Sequence, residues 1–526
     1  MLELHTPMDA ARWLRSRVTG TLCSDSRKLQ VGDGFMAWPG AKNDARQQVV
    51  SALASGAKAC LVEQSGVEHY AFDGADIATY AQLKWASGTI AAAYFDHPSE
   101  QLDVLAVTGT NGKTSTAWWL AQALSNLKLA APIPCGLVGT LGIGRPPAPA
   151  RATSQNALAV DALADMLATG LTTPDPVLLQ ATFRRFVDAN VKACVVEASS
   201  VGIDQRRLEG THIRCAVFTN FTQDHLDYHG TMEAYWQAKA KLFSWPGLQS
   251  AVINIDDAQG ARLAASLDSK LPDVWSVSCT GAARLQARDI SYDAQGLRFT
   301  LVEDVPGHGQ SAGHVVQTKM IGSYNVANLL GVMAAMRSIG VPLTAVVASC
   351  QDLSPVPGRM QCLGTPGQPL VAVDYAHTPD ALAKALLTLR SLADQRGGQL
   401  CCVFGCGGDR DSVKRPLMGA LAASHADRVV VTSDNPRSEQ PDAIINQILL
   451  GMRGYAALTI EPDRARAIAF ALAQAAANDV LLIAGKGHEN YQEVAGRRLP
   501  FSDIAQVRRA LAHWVAPVSA QRGAGE

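Results

Sequence analysis

The 526-residue sequence has no large charge excess of either sign and no long apolar run. Lys and Arg together number 46 and Asp and Glu number 47, which gives a formal net charge of −1. Because surfaces that bind nucleic acid depend on a basic excess, this balance predicts no nucleic-acid partner. No run reaches 18 apolar residues, and the opening MLELHTPMDAARWLRSRV carries acids where a signal peptide needs an apolar stretch. We therefore expect a cytoplasmic protein that does not insert into membranes.

The eleven cysteines show neither metal-binding nor disulfide spacing. No C-x-x-C pair is present, the total is odd, and several cysteines lie inside apolar, strand-like runs, namely Cys194, Cys215, Cys401 and Cys402. Cysteines in such runs are typical of small core residues, and scattered thiols are typical of a reducing compartment. We therefore predict that the cysteines pack in the protein core.

The length and the rhythm of apolar segments predict three α/β domains. A chain of 526 residues is too long for one core, because a domain takes about 100 to 200 residues. The predicted domains are residues 1–100, 101–340 and 341–516. The tail 517–526 has little apolar content and is predicted to be disordered.

Strand-like runs alternate with helical segments in all three predicted domains, which is typical of parallel sheets with covered faces. The first domain contains a helix–strand pair at 49–63. The later predicted strands are 192–197, 214–219 and 251–255 in the centre, then 370–374, 400–404, 428–432 and 480–484 in a doubly wound sheet. A two-fold alternation at 287–319 predicts an antiparallel flap, and the Pro- and Ala-rich stretch 144–152 predicts an exposed insertion.

The most informative stretch is LDVLAVTGTNGKTSTAWWLAQALSNL, residues 102–127. It predicts a strand, a glycine loop and a helix that begins at Lys113. Gly109 and Gly112 allow a tight turn that points backbone N–H groups at one spot, while Lys113 and the helix N-terminus add positive charge. The loop therefore predicts a nucleotide-phosphate site that includes Thr110 and Asn111, with a hydroxyl for the accompanying Mg²⁺ on Thr114 or Ser115.

Two further candidate ligands follow predicted strands, where open α/β sheets place their sites. Glu197 ends the run VVE, and His225 lies in TNFTQDHLDYHG. A carboxylate and an imidazole beside Thr114 would together hold Mg²⁺ near the terminal phosphate. Either residue alone is more often an ordinary hydrogen-bonded loop residue, so the prediction depends on their combination. Lys239 and Lys241 lie two apart in a predicted helix, so only one of them is expected to point inward.

The glycine loop, TGTNGKT at 108–114, closely resembles the ATP loop of the Mur ligase family, which joins amino acids to nucleotide-linked peptidoglycan precursors. Val107 stands where the general P-loop spelling has glycine, so only the shorter motif is met. Asp25-Ser26-Arg27 resembles the uridine-diphosphate-binding domain of the members that add the third residue. FGCGGDRDSVKRPLMG, TSDNPRSEQP and AGKGHENYQ closely resemble the amino-acid pocket of the diaminopimelate-adding members.

This resemblance implies an N-terminal UDP-binding α/β domain, a central P-loop ATPase domain with a parallel sheet and a C-terminal Rossmann-like domain. For ATP it implies contacts by the loop and by Asn325, Asn328, Arg359 and Asp374. For the UDP-muropeptide it implies Ser26, Thr172, Thr173, Ser199, Gln205 and Arg207. For diaminopimelate it implies Arg410, Asp434, Asn435, Pro436, Arg437, Gly485 and Glu489. It also implies that Lys239 is carbamylated and, with Thr114, Glu197 and His225, supports Mg²⁺.

The activity implied is ATP-dependent addition of meso-2,6-diaminopimelate to the D-glutamyl γ-carboxylate of UDP-N-acetylmuramoyl-L-alanyl-D-glutamate, through an acyl phosphate, by a monomeric enzyme with catalytic Lys113, Lys239 and His225. Gln361, Leu171 and Val201 depart from the family pattern, where glutamate, asparagine and histidine are usual. They put individual contacts in question.

Three alternatives stay open at this point. Two are ligases of the same architecture, a lysine-adding enzyme and a folylpolyglutamate-type enzyme; the arginine of DNPR argues against the first and the DSR domain against the second. The third is a non-catalytic nucleotide-binding regulator. Such a regulator would be expected to lose Lys113, Glu197, His225 or Lys239, and all four are present.

Overall fold

The computed structural model describes the chain except for residues 41–42, 130–131, 149–162, 164, 268–269, 294–295, 306, 308 and 518–526. The predicted tail, apart from Pro517, and much of the predicted insertion therefore lie outside the described residues. The described strands form three main sheets and one separate hairpin. The α/β class predicted from the sequence is confirmed. Within the described residues, no helix is both long enough and apolar enough to span a bilayer.

The N-terminal unit is a five-stranded parallel sheet in the order β1-β5-β4-β3-β2. Its alternating strand residues enter two cores: Met36 and Leu61 pack on one face, while Phe35 and Cys60 pack on the other. The bounds are β1 Leu2–Leu4, α1 Pro7–Arg15, β2 Leu22–Cys23, β3 Gly34–Ala37, α2 Val49–Ala54, β4 Ala59–Glu63, β5 Ile77–Tyr80 and α3 Leu83–Tyr94. The predicted helix–strand pair at 49–63 is confirmed as α2 and β4.

The central unit is an eleven-stranded sheet in the order β15-β14-β13-β12-β11-β10-β6-β9-β7-β8, with β16 paired to β14. Its strands are β6 Asp103–Thr108, β7 Cys135–Gly139, β8 Gly142–Gly144, β9 Ala193–Glu197, β10 Cys215–Phe218, β11 Ser250–Asn254, β12 Asp273–Ser278, β13 Leu285–Asp293, β14 Gly296–Val305, β15 Gly309–Gln310 and β16 His314–Thr318. The parallel strands predicted here are confirmed. The predicted antiparallel flap is β13 to β16, and it continues the central sheet because β13 pairs with β12.

The central helices are α4 Lys113–Ser125, α5 Pro176–Asp188, α6 Ser200–Asp204, α7 Leu226–His229, α8 Met232–Ala240, α9 Ala258–Leu267, α10 Tyr324–Ser338 and α11 Leu343–Gln351. Helix α11 follows the boundary predicted after residue 340 and packs on the central core. Its buried Val346 and Cys350, and the following Leu353 and Val356, belong to the same core as α4 and α10. We propose that the central unit extends to about residue 357, because the next strand is the first to join the C-terminal sheet.

The C-terminal unit has the order β17-β18-β22-β19-β20-β21, with antiparallel β17 at one edge and parallel pairing elsewhere. Its elements are β17 Gln361–Leu363, β18 Leu370–Asp374, α12 Pro379–Arg396, β19 Leu400–Phe404, α13 Lys414–His425, β20 Arg428–Val431, α14 Pro441–Leu449, β21 Leu458–Ile460, α15 Arg464–Ala473, β22 Val480–Ala484, β23 Tyr491–Val494, β24 Arg497–Pro500 and α16 Asp503–Ala512. The four strands predicted here are confirmed. Helix α12 shows why these bounds arise: Thr378 caps its N-terminus, proline follows, and Gly397 ends it at a φ of 64°.

Candidate active site

The phosphate loop joins β6 to α4, as the sequence predicts. Gly109 has a φ of 145°, and a Cβ there would lie 1.9 Å from Thr219 Oγ1. At Gly112 a Cβ would lie 2.3 Å from Asn328 Oδ1, with a φ of 82°. Both positions therefore require glycine. The loop is held from β10 as well, because Asn220 Oδ1 accepts a hydrogen bond from the Asn111 backbone N–H at 2.9 Å.

Lys113 curls back over the loop at the first position of α4. Its ammonium donates to the carbonyl oxygens of Gly109 and Thr110, both at 2.9 Å. Burial lowers the pKa of Lys113, and the charge of Glu197 opposes that change. The lysine therefore lies where a phosphate oxygen could exchange for the backbone carbonyls as its partner.

Glu197 is fully buried at the end of β9 and is held by three donors. Thr114 Oγ1 donates to its carboxylate at 2.8 Å, and Thr140 donates through its backbone N–H at 2.8 Å and its hydroxyl at 3.0 Å. A carboxylate beside a hydroxyl is an oxygen-rich pair of the kind that Mg²⁺ prefers. The pair fits a magnesium ion, although no three His, Cys, Asp or Glu side chains in the described part of the chain form a metal site by themselves. A bound ion would therefore also need oxygens from the nucleotide.

His225 and Asp224 lie side by side in the segment that follows β10. His225 Nε2 lies 3.4 Å from Asp224 Oδ2, and His377 Nε2, from the C-terminal unit, lies 3.9 Å from the same oxygen. Burial lowers the pKa of His225 to about 4. Burial opposes ionisation of Asp224, yet His225, His377 and Lys414 together lower its pKa to about 2. At neutral pH the pair is a neutral imidazole, able to ligate a metal, and a carboxylate.

Lys239 and Lys241 point in opposite directions. Lys239 is 1% exposed, donates to the Gly109 carbonyl at 2.7 Å and lies 4.4 Å from the centre of the Tyr235 ring. Burial, and next the charge of Lys113, hold its pKa well below the ordinary value. Lys241 is exposed and lies 3.1 Å from Asp204. Lys239 is thus the inward lysine, and its lowered pKa favours the unprotonated amine that carbamylation requires.

The candidate nucleotide contacts outside the loop come from α10 and from residues 359 and 374. Asn325 and Asn328, on α10, are hydrogen bonded to each other at 2.9 Å. Arg359 reaches from the C-terminal side and donates to Thr114 Oγ1 at 3.1 Å. Asp374, at the end of β18, accepts from the Met360 N–H at 2.6 Å, and burial raises its pKa.

The D-N-P-R segment forms a second polar cluster at the strand ends of the C-terminal sheet. Asn435 Nδ2 donates to Glu489 at 2.8 Å, and the fully buried Lys486 donates to both Asn435 Oδ1 and Glu489, at 2.9 and 2.8 Å. Arg437 donates from Nη1 to the Gly408 carbonyl at 2.7 Å. Arg410 is exposed. The cluster offers both a guanidinium and a carboxylate to a zwitterionic ligand.

The residues assigned to the muropeptide divide into two groups. Thr172, Ser199 and Arg207 line a cavity beside the phosphate loop. Thr173 is buried and donates to the Glu197 carbonyl at 2.7 Å. Arg207 donates from Nη2 to Gln205 Oε1 at 2.7 Å, so Gln205 helps to position the guanidinium. Ser26 is half-buried in a short 3₁₀ turn of the N-terminal unit, capped by the Asp25 carboxylate.

One cavity of about 1440 Å³ connects the phosphate loop to the D-N-P-R cluster. Its wall includes most of the predicted residues, namely Thr110, Asn111, Gly112, Lys113, Thr114, Ser115, Thr172, Ser199, Arg207, His225, Asn325, Asn328, Arg359, Asp374, Arg410, Asp434, Asn435, Arg437, Gly485 and Glu489. The wall does not include Ser26, Gly109, Thr173, Glu197, Gln205, Lys239 or Pro436. Except for Ser26 and Lys239, these lie beside wall residues in sequence or are hydrogen bonded to them. Lys239 donates to Gly109, whose neighbour Thr110 lies on the wall.

Sequence reasoning missed several supporting residues. Thr140 holds Glu197 from a strand end that carries no motif, so no sequence signal pointed to it. Asp224 directly precedes His225, and Lys486 lies inside the quoted AGKGHENYQ, so both could have been singled out. Of the three departures from the family pattern, buried Gln361 accepts from the Gly358 N–H at 3.0 Å, while Leu171 and Val201 line the cavity.

Two family models match the chain. The Mur ligase middle domain matches residues 107–336, and the Mur ligase, glutamate ligase domain matches residues 358–487. The second match begins at residue 358, next to the end that we propose for the central unit.

Relatives match over nearly the whole length. A UDP-N-acetylmuramoyl-L-alanyl-D-glutamate--2,6-diaminopimelate ligase from Acidovorax sp. (strain JS42) is 57% identical over 97% of this chain and 98% of its own. A protein of the same name from Janthinobacterium sp. (strain Marseille) is 46% identical over 95% and 96%. A solved structure titled as a ligase of that name is 34% identical, covers 94% of each chain and has a TM-score of 0.60. With this identity over almost the full length, the chain belongs to the Mur ligase family.

Proposed function

We propose that the protein is an ATP-dependent ligase that adds meso-2,6-diaminopimelate to the D-glutamyl γ-carboxylate of UDP-N-acetylmuramoyl-L-alanyl-D-glutamate. The observation that carries this proposal is the single cavity shared by the phosphate loop and the D-N-P-R cluster. A phosphate site and a zwitterion site in one chamber are what a ligase needs to activate one substrate and join it to another. The names of the relatives support the choice of substrates.

In the first step, an oxygen of the γ-carboxylate attacks the terminal phosphorus of ATP, and ADP leaves. Lys113 neutralises charge on the transferring phosphoryl group, and the loop N–H groups orient the phosphates. Thr114, Glu197, His225 and Lys239, as its carbamate, would hold Mg²⁺, which would supply further positive charge at the phosphate oxygens.

In the second step, the neutral amine of diaminopimelate attacks the acyl carbon, the C–N bond forms and phosphate leaves with its C–O electron pair. The proton that the amine loses passes to the departing phosphate. Glu489 and Asn435 hold the distal ammonium, while Arg437 holds the distal carboxylate. Because both ends are fixed in one cavity, much of the rate enhancement comes from positioning.

Thr172, Ser199 and Arg207 orient the peptide of the muropeptide beside the loop, and the N-terminal unit, through Ser26, binds the uridine diphosphate. We place the enzyme in the cytoplasm as a monomer. The structure describes all eleven cysteines and each is a free thiol, which suits a reducing compartment.

The test is to incubate the protein with ATP, Mg²⁺ and the UDP-muramoyl dipeptide plus one amino acid at a time, and to measure product mass and phosphate release. We expect a product with meso-diaminopimelate and little with lysine or glutamate. A product with lysine alone, or with glutamate on a folate acceptor, would replace the proposal by one of the alternative ligases. Phosphate release without any amide product would contradict ligase activity altogether.

A further inference from the structure

The hairpin of β23 and β24 is docked on the D-N-P-R segment by four hydrogen bonds. Gln492 Nε2 donates to the Asp434 carbonyl at 2.7 Å, and the Glu493 N–H donates to Asn435 Oδ1 at 2.9 Å. The Arg437 N–H donates to the Glu493 carbonyl at 3.0 Å, and the Ala495 N–H donates to the Arg437 carbonyl at 2.7 Å. A two-stranded hairpin has little stability alone. This one is therefore part of the wall that positions Arg437.

Arg437 has a φ of 52°, in the left-handed region, and its side chain is held on two sides. Nη1 donates to the Gly408 carbonyl at 2.7 Å, and Nε lies 3.7 Å from Glu493 Oε2. A carboxylate binds a guanidinium best through two parallel N–H groups. The Nε edge, which offers such a pair, is thus partly covered by a carboxylate of the protein itself.

Glu493 also has a second cation within reach. In the antiparallel hairpin it lies directly opposite Arg498, and side chains of such pairs are neighbours on one face. Arg498 and Glu493 both line the cavity. The Arg498 guanidinium lies over the Tyr491 ring, 4.4 Å from its centre. A carboxylate displaced from Arg437 therefore has a second cation on the same face of the hairpin toward which it can turn.

We propose that Glu493 is a specificity-determining residue, which holds the Nε edge of Arg437 in the empty pocket and yields it to the distal carboxylate of the substrate. This inference rests on the proposed function. Lysine lacks that carboxylate, so with lysine bound Glu493 keeps its place on Arg437. With diaminopimelate bound, the substrate must first displace Glu493.

The KM values of the two substrates should therefore respond differently when the Glu493 charge is removed. Without the Glu493 charge, diaminopimelate binds Arg437 without competition. Lysine binding should not improve. Lysine does not disturb the Arg437–Glu493 pair, so removing that pair changes the free enzyme and the lysine complex equally. The Arg437 and Glu493 side chains are 21% and 25% exposed. Because solvent partly screens the pair, the expected effect is modest.

The experiment measures steady-state kinetics of Glu493→Gln with meso-diaminopimelate and with L-lysine. Gln keeps the size of the side chain and all backbone bonds of the hairpin. We expect KM for diaminopimelate to fall by about two- to fivefold, the range that partly exposed ion pairs give, with kcat unchanged and lysine use no better. Glu461→Gln is the matched control: Glu461 lies 3.3 Å from Arg466, is 23% exposed and does not line the cavity. Its KM values should equal those of the wild type.

A double-mutant cycle separates this role from a structural one. If Glu493 acts through Arg437, then Glu493→Gln in an Arg437→Ala background should change KM by less than about 1.5-fold. An unchanged or raised KM in the single variant, or an equal fall in the Arg437→Ala background, would overturn the inference. If the wild type makes no diaminopimelate product at all, the proposed function fails first, and the two failures are thus distinguishable.

Discussion

Arg437→Ala is the most direct test of the amino-acid pocket. Removing one member of a buried, hydrogen-bonded charge pair costs about 2–5 kcal/mol. The Arg437 side chain is 21% exposed, so we expect the lower part of this range. A loss of about 2–3 kcal/mol corresponds to roughly 30- to 160-fold in kcat/KM for meso-diaminopimelate. Lysine turnover should hardly change, because lysine has no distal carboxylate for the guanidinium to bind.

The structure also indicates where the discrimination arises. With lysine bound, the guanidinium keeps the Gly408 carbonyl and the Glu493 carboxylate as neighbours. If Arg437 binds the distal carboxylate as proposed, we expect lysine to be disfavoured by the missing carboxylate contact, more than by an unpaired buried charge. This predicts a moderate preference for diaminopimelate in the wild type.

Two control variants make the result interpretable. Arg437→Lys retains a charge but loses the planar fork, so its kcat/KM should fall between those of the wild type and Arg437→Ala. Arg410→Ala removes an exposed arginine and should cost only a few-fold. Ala and Arg share the same cost at the positive φ of position 437, so backbone strain does not confuse the comparison. The affinity for ATP should stay constant, and an equal loss for both amino acids would refute the reasoning.

Four further predictions concern the rest of the site. Lys113→Ala should lower phosphate release at least about 100-fold in a protein with wild-type thermal unfolding, because its charge acts on the phosphoryl group; near-normal release would remove the loop from the mechanism. Lys239→Ala should be nearly inactive and partly restored by short carboxylates, whereas exposed Lys241→Ala stays active; equal activities would contradict the carbamate. Thr140→Val removes one hydrogen bond to the candidate metal carboxylate, so the Mg²⁺ concentration for half-maximal rate should rise about two- to tenfold, and no rise would argue against a metal there. Burial lowers the pKa of His488 to about 3. As the pH drops, the unfolded chain binds a proton on this histidine before the folded chain does, so the free energy of unfolding falls between about pH 6.5 and 3. Urea unfolding of His488→Gln should show a shallower fall of this free energy over the same pH range.

The strand pattern could be predicted because it depends on short apolar runs with clear ends. Strands β18, β19 and β22 begin and end at the residues expected from the sequence. For the boundary predicted after residue 340 we propose a shift to about residue 357, because the glycine and proline there mark a turn between helices α10 and α11. Whether the next helix packs on the preceding or the following core depends on contacts such as those of Cys350 with the central core, which no local pattern reveals.

The candidate site was predictable where a motif forces an unusual backbone. Gly109 and Gly112 are required by close approaches that no Cβ would allow. Residues that act through a neighbour, such as Thr140 behind Glu197, carry no such signal, because a threonine at a strand end suits many structures. The assigned roles of individual residues stay predictions until ligands are bound.

The central and C-terminal units meet at the phosphate loop through a side-chain hydrogen bond. Asn111 Nδ2 donates to Asp380 Oδ2 at 2.9 Å, across the two units. Lys384 lies 3.0 Å from the same carboxylate and offsets a negative charge beside a loop that would bind phosphate. Asp380 lies in the first turn of α12, which begins five residues after the end of β18 at Asp374. This hydrogen bond therefore joins the phosphate loop to the helix that follows β18, the strand whose end carries the candidate nucleotide ligand Asp374.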